Sequence, residues 1–348
     1  MANYDLYWNP KITFSYNCLF NFITGMRGGG KTYGALLYGI EDVYLKNKKR
    51  GKLSQFLYLR RMKTELEKLT TSRGGRLFKA VEKEYPDHVF KAESDVLYMD
   101  KEVIGYAQAL STGSLLKSNP MPNVDLIIFD EFIIDNRGTY HYLPNEVTKF
   151  LDLYETVARG RDVKVVFLAN AVTVTNPYFD YFNLNKPANG KIQRFGESKE
   201  ILVENYVSPA LSVMKKKTRF GSIISGTEYS DYAYDNEWLL DNYDFVEKKN
   251  QRCRYFMTLL YKDNVIGIWH DPKQWLYFVS NDVEKQCEIV YSVTLDDHTP
   301  NVMLFRAGKK MGWLKRLVEA YECGAVRYES MKLKNWFRDI MRMSRTGV

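Results

Sequence analysis

The sequence predicts an α/β fold built on a mostly parallel sheet, followed by a smaller α+β domain. Three observations carry that prediction. An apolar run over residues 19–23 empties into a glycine-rich loop and then into a stretch with helical spacing. Well downstream, Val124-Asp-Leu-Ile-Ile-Phe-Asp130-Glu131 reads as a second buried strand, this one ending in two acids. The last third changes pattern, with a meander of three short strand-like runs followed by two helical stretches. At 348 residues the chain exceeds what one core comfortably holds, so two domains are expected.

The first loop, Gly25-Met-Arg-Gly-Gly-Gly30-Lys31-Thr32, has the spacing G-x-x-x-x-G-K-T. Its residue types suit a phosphate chain. Gly25, Gly28, Gly29 and Gly30, with Arg27 among them, let successive backbone N–H groups approach phosphate oxygens that a Cβ would hold off. The following helix carries Leu36, Leu37, Ile40, Val43 and Tyr44 on one face, and its N-terminus adds unpaired donors. Lys31 is expected to bridge the β- and γ-phosphates of ATP, and the Thr32 hydroxyl to ligate Mg²⁺. Parallel strands bring their C-terminal ends to one edge, which places Asp130 beside Thr32 in the magnesium shell. Glu131, one residue on, is positioned to deprotonate an attacking water.

Composition narrows the class. Hydrophobic content of 45% with 26% charge is that of a globular protein, and no apolar run approaches the ~18 residues that would cross a bilayer. Cys18, Cys253, Cys287 and Cys323 are scattered without a Cys-x-x-Cys pair and read as thiols of a reducing compartment. The net charge is +8, and the segment from Phe305 onward holds eleven Lys/Arg against four Asp/Glu. Nearly all the excess is therefore C-terminal, which suggests a polyanionic partner, most simply nucleic acid.

Between these landmarks, residues 1–18 hold unpatterned aromatics expected to cover the nucleotide site. Gln55-Phe-Leu-Tyr-Leu-Arg60 is a strand ending in Arg60-Arg61-Met62-Lys63. One arginine there could face the nucleotide, and Lys63 either reaches toward DNA or pairs with Glu65 and Glu67. A helix is expected over 77–85, then short strands about the turn at 99–101 and a strand over 103–110. Lys117, in the polar loop before the acid-bearing strand, could reach a phosphate, on a neighbouring subunit for example. Pro144 opens a helix with Val147, Phe150, Leu151, Tyr154 and Val157 on its inner face. Arg159 and Arg161 follow it, either able to complete a neighbouring subunit's site, with Gly160 freeing the backbone and Arg159 preferred. A buried strand over 163–168 ends near Asn170, which either senses the γ-phosphate or the attacking water, or closes a turn. Residues from 176 onward read as irregular, and 208–246 as a linker region. Strands are then expected over 255–261, 265–270 and 275–279, and helices over 309–322 and 330–343.

Beyond these general features the chain resembles the DNA-packaging (encapsidation) ATPases of small tailed phages of the phi29-like group. The likeness rests on the glycine loop, Phe129-Asp-Glu-Phe132, Phe56-Leu-Tyr-Leu-Arg-Arg61, Tyr85-Pro-Asp-His88 and Lys117-Ser-Asn119. It extends through Pro144-Asn-Glu-Val147, Asn170-Ala-Val172, Asn176-Pro-Tyr-Phe179, Lys217-Thr-Arg-Phe-Gly221 and Gly226-Thr-Glu-Tyr229. These motifs span the first two-thirds of the chain; the final third agrees only in strand order. The resemblance implies a homo-oligomeric, usually pentameric, ring in the host cytoplasm that docks at the portal vertex of an empty procapsid. There ATP hydrolysis drives double-stranded DNA inward, and a packaging RNA is a candidate partner. It also implies a P-loop NTPase of the additional-strand, catalytic-glutamate class, with Lys31, Asp130 and Glu131 at its core and Arg159 acting in trans. The triple-glycine loop departs from the family pattern and leaves the role of Arg27 open.

The implied boundaries are an ATPase domain over 1–207, the linker over 208–246, and an RNase H-like domain over 247–348 that has lost nuclease activity. The residues agree on the last point. Two-metal cleavage needs carboxylates on the sheet, and 255–261 contains none. A packaging ATPase with an active nuclease, and an assembly factor in which nucleotide only gates DNA binding, are the competing readings.

Overall fold

The computed structural model describes residues 6–70, 76–113, 121–134, 141–171, 173, 175–234, 236, 244–308 and 311–345. They fold as two compact units, Met1–Leu240 and Asp241–Val348.

The first unit is organised by a nine-stranded sheet. Its strands are β1 (Phe20–Gly25), β2 (Gln55–Arg60), β3 (Phe90–Glu93), β4 (Val96–Met99), β5 (Glu102–Ala109), β6 (Val124–Asp130), β7 (Lys164–Leu168), β8 (Lys191–Phe195) and β9 (Ile201–Tyr206). The spatial order is β3-β4-β5-β2-β6-β7-β1-β9-β8. The six inner strands, β5 to β9 in that order, are parallel, and β3, β4 and β8 add antiparallel edges. Period-two alternation buries both faces. Phe22, Ile127, Phe129, Val165 and Phe167 enter one core, while Ile23, Leu126, Ile128, Val166 and Leu168 enter the other. On the first face Phe22 stacks on Phe167 with centroids 4.1 Å apart, and Phe150 of the helix Glu146–Ala158 closes over Phe167 at 4.9 Å. On the second lies the continuous helical stretch that begins at Lys31 and ends at Lys48, with a π-helical segment Gly39–Leu45. A Cβ at Gly39 would stand 2.9 Å from the Phe56 ring, so glycine lets this helix approach the sheet.

Three stretches differ from the sequence reading. The helix expected over 77–85 is reduced to a 3₁₀ turn, Glu82–Glu84, because Tyr85 precedes Pro86 and is pushed to φ −131°. The irregular stretch after Asn176 instead contains β8 and β9, and β9 pairs along its whole length with the glycine-loop strand. Its buried Glu204 and Asn205 break the apolar pattern that would have revealed a strand. Glu204 tolerates burial by accepting from Trp8 Nε1 (3.1 Å) and Thr13 Oγ1 (2.5 Å), which also ties the N-terminal segment to the sheet. Within 208–246 stand three short helices, Pro209–Lys216, Arg219–Ile224 and Glu228–Tyr234, grouped with the first unit. Ser208 and Thr218 cap the first two, accepting from the N–H groups of Leu211 and Gly221.

The second unit has six strands: β10 (Arg254–Tyr261), β11 (Asn264–Asp271), β12 (Leu276–Ser280), β13 (Val290–Ser292), β14 (Met303–Leu304) and β15 (Val326–Tyr328). Their order is β14-β13-β10-β11-β12-β15. An antiparallel meander of three, with β13 and β14 parallel to its first strand, is the RNase H-like arrangement. Leu314 and Leu317 of the helix Gly312–Glu322, and Phe337 and Ile340 of the helix Met331–Arg345, cover Met257, Leu259, Ile268 and Val279. The carboxylate at the end of β11 is committed to structure. Asp271 accepts from Asn250 Nδ2 (2.8 Å) and from the N–H groups of Lys273 and Gln274.

Candidate nucleotide site at the sheet edge

The site lies where β1, β2, β6 and β7 end together. Strand β7 runs between β1 and β6, so the glycine loop and the two acids are separated by one strand's width. Gly25, Gly28 and Gly30 adopt positive φ (155°, 69° and 77°), the conformations that admit glycine without strain. The loop is also crowded from outside. A Cβ at Gly25 would strike the Tyr206 carbonyl at 2.2 Å, and one at Gly30 would meet Tyr7 at 2.9 Å. The N-terminal segment lies against the loop, with the Trp8 N–H donating to the Gly29 carbonyl at 2.9 Å.

Lys31 is buried and folds back on the loop, donating to the carbonyls of Gly25 (3.1 Å) and Met26 (2.9 Å) and to Asn170 Oδ1 (3.2 Å). Burial lowers its pKa to about 7; Asp130 opposes that shift and Lys215 adds to it. The Thr32 hydroxyl lies 3.1 Å from each carboxylate oxygen of Asp130. Asp130 also accepts from the Tyr58 hydroxyl at 2.8 Å, and its own pKa is raised by burial, with Arg60 counteracting and neighbouring Glu131 reinforcing. Thr32 and Asp130 form an oxygen-only donor pair, and among the described residues no cluster of three metal-ligating side chains exists. That set suits Mg²⁺, which is commonly held by one carboxylate and a hydroxyl together with phosphate oxygens.

Glu131 follows with φ 59°, in the left-handed region that side chains rarely occupy, and its side chain is 55% exposed. Two arginines from the end of β2 hold it. Arg60 bonds Glu131 Oε2 at 2.8 Å and Asp130 Oδ2 at 3.3 Å, bridging the acids. Arg61, 1% exposed, donates to the carbonyls of Glu131 (3.0 Å) and Phe132 (2.7 Å) and makes a two-point ion pair with buried Glu146 at 2.7 and 3.0 Å. Tyr178 donates to the same Glu146 at 3.0 Å. A fully buried pair of this kind fixes position more than it adds stability. The doublet Arg60-Arg61 announced a cationic edge in the sequence; the alternation of β2 sends one toward the carboxylates and the other into the core.

The helix Glu146–Ala158 begins at Arg61 and runs to the opposite edge of the sheet, a span of roughly 20 Å at helical rise. Arg161 is tied down there, donating to the carbonyls of Val124 (3.0 Å), Met121 (3.2 Å) and Val157 (2.8 Å). Arg159 is exposed, takes φ 48° at the helix end, and has no side-chain hydrogen bond or ion pair among the described residues. Lys63 is exposed on the short helix Lys63–Glu67 and pairs loosely with Glu67 at 3.8 Å. Arg27 is exposed on the loop, and Lys117 lies outside the described residues. Sequence reasoning missed Tyr58, whose hydroxyl needed the β2–β6 pairing to find Asp130, and Lys215, which falls in the stretch read as a linker. Lys215 donates to the Arg27 carbonyl from the helix Pro209–Lys216.

A glycine loop, a buried lysine, a threonine–aspartate pair and an adjoining glutamate, on a sheet whose glycine-loop and acid strands flank a third, define a P-loop ATPase of the additional-strand, catalytic-glutamate class. Comparison with known proteins is more specific. Residues 2–346 match the podovirus DNA encapsidation protein (Gp16) family, and the chain belongs to that family of DNA-packaging proteins. It is 36% identical over 342 residues to the DNA packaging protein of Bacillus phage PZA and 35% identical over 342 to that of Bacillus phage phi29, covering 98% of each chain in both cases. The structure of the bacteriophage Phi-29 viral genome packaging motor assembly superposes with TM-score 0.76 at 33% identity, covering 98% of this chain and 100% of that one. The Phi-28 gp11 DNA packaging motor shares the fold, at TM-score 0.60 and 19% identity.

Proposed function

We propose that this chain is the ATP-hydrolysing subunit of a viral DNA-packaging motor, coupling hydrolysis to movement of double-stranded DNA into a procapsid through its portal. The observation that carries the reading is the placement of Thr32 Oγ1 3.1 Å from both oxygens of Asp130, with Lys31 and Glu131 beside them. In this reading the glycine loop and Lys31 bind the triphosphate, and Thr32 and Asp130 would hold Mg²⁺, which neutralises phosphate charge when bound. Lys31 would exchange its carbonyl partners for phosphate oxygens, and Asn170, now bonded to Lys31, would be released toward the γ-phosphate. Glu131, half-exposed and held in a set direction, would accept the proton of the attacking water.

The position of Arg159 supports a ring. It stands across the sheet from its own glycine loop, so the site it could complete is another subunit's. Arg161, bonded to three carbonyls, is occupied in place, which favours Arg159 as the trans group. The pairing of Lys63 with Glu67 leaves its ammonium open to a DNA phosphate, since an exposed pair of that kind contributes little. Ring size, a packaging RNA and transient location at the portal vertex in the host cytoplasm remain part of the proposal by family resemblance.

Magnesium titration tests the site. Asp130→Ala is expected to raise the Mg²⁺ needed for half-maximal ATP hydrolysis by roughly ten- to hundredfold at fixed ATP. An unchanged magnesium requirement in the folded variant would place the ion elsewhere.

A further inference from the structure

We infer that Lys215 is a second phosphate-binding cation of the nucleotide site, delivered by the helix Pro209–Lys216, and that it reports loop occupancy to the helices at the end of the first unit. The inference rests on the P-loop reading above. Its ammonium donates to the carbonyl of Arg27, in the middle of the glycine loop, and lies 3.0 Å from where a Cβ of Gly28 would stand. Lys31 meanwhile occupies the carbonyls of Gly25 and Met26. Three consecutive loop carbonyls are thus taken by two ammonium groups. Two cations crowded on one loop, with the exposed Arg27 adjacent, make an environment that a polyanion relieves.

The helix that carries Lys215 is already anchored by its Ser208 cap and by the buried Leu211, so the lysine's reach to the loop is not what holds the helix in place. A half-buried ammonium bonded to one backbone carbonyl retains donors for a phosphate oxygen. Lys215 also lies over the Tyr234 ring, 5.7 Å from its centroid, on the helix Glu228–Tyr234. A shift of the ammonium from the Arg27 carbonyl to a phosphate would therefore change a contact two helices further along the chain.

The test compares Lys215→Met, which keeps the stem and removes the charge, with Lys215→Arg and with Lys31→Ala in the full-length chain. Displacement of a fluorescent ATP analogue gives affinity, and hydrogen exchange over residues 209–234, with and without ATP, gives the response of the helices. Lys215→Met should bind ATP about tenfold more weakly with an unchanged melting temperature, as loss of one charge-assisted bond implies. Lys215→Arg should recover most of the affinity, and ATP should protect 209–234 in the native chain but not in Lys215→Met. Native affinity in Lys215→Met, alongside a crippled Lys31→Ala, would overturn the inference and leave the P-loop reading standing. Native affinity in both would overturn the two together. Weakened binding in Lys215→Met with the ATP-dependent protection retained would remove the reporting role.

Discussion

Glu131→Gln is expected to bind ATP and Mg²⁺ as tightly as the native chain while hydrolysing about 10²–10⁴-fold more slowly. The amide keeps the size of the side chain but cannot accept a proton from water. Ground-state binding depends on Lys31, Thr32 and Asp130, which the substitution leaves in place. The expected signature is a loss in turnover without a loss in affinity, read from phosphate release against equilibrium binding. DNA uptake should cease in the same variant. If DNA still entered procapsids at the native rate, nucleotide would be a timer of binding or release rather than the source of movement.

Arg159→Ala is expected to lower hydrolysis by the assembled ring about 10³–10⁵-fold and to leave ATP affinity of the single subunit unchanged. The cause is geometric. The Glu146–Ala158 helix carries Arg159 away from the edge where Asp130 and Lys31 stand, so it touches no atom of its own site. Mixing separates trans from cis action. A ring containing Arg159→Ala and Lys31→Ala subunits has interfaces where an intact Arg159 meets an intact glycine loop, and activity should return there, highest near equal proportions. If mixed rings stay inactive at every ratio, Arg159 acts within its own chain or only in the fold. Arg161→Ala should behave differently, losing stability through the bonds it makes to the Val124, Met121 and Val157 carbonyls rather than turnover alone.

The parts of this fold that are legible in sequence are those where one local pattern has one physical solution. Strand β2 matches the expected Gln55–Arg60, and the glycine loop, β6 and the meander of the second unit fall within a residue or two of expectation. Strand β9 was illegible because Glu204 and Asn205 are buried through partners far away in sequence, Trp8 and Thr13 among them. The three-residue β13 and β15 and the two-residue β14 carry too little pattern to be seen before β10, β12 and β13 itself supply their pairing. The site divides in the same way. Lys31, Thr32, Asp130 and Glu131 are read from motif and strand order. The bridging of both acids by Arg60, the grip of Arg61 on the Glu131 carbonyl and the reach of Lys215 to the loop are products of tertiary packing.

The most direct measurement is nuclease-protected DNA after the purified chain is mixed with empty procapsids, portal components and double-stranded genomic DNA. With ATP and Mg²⁺, full-length DNA should become protected; with a non-hydrolysable analogue, or with Lys31→Ala in place of the native chain, none should. Equal protection with the analogue would contradict the claim that the cluster at the sheet edge powers the movement.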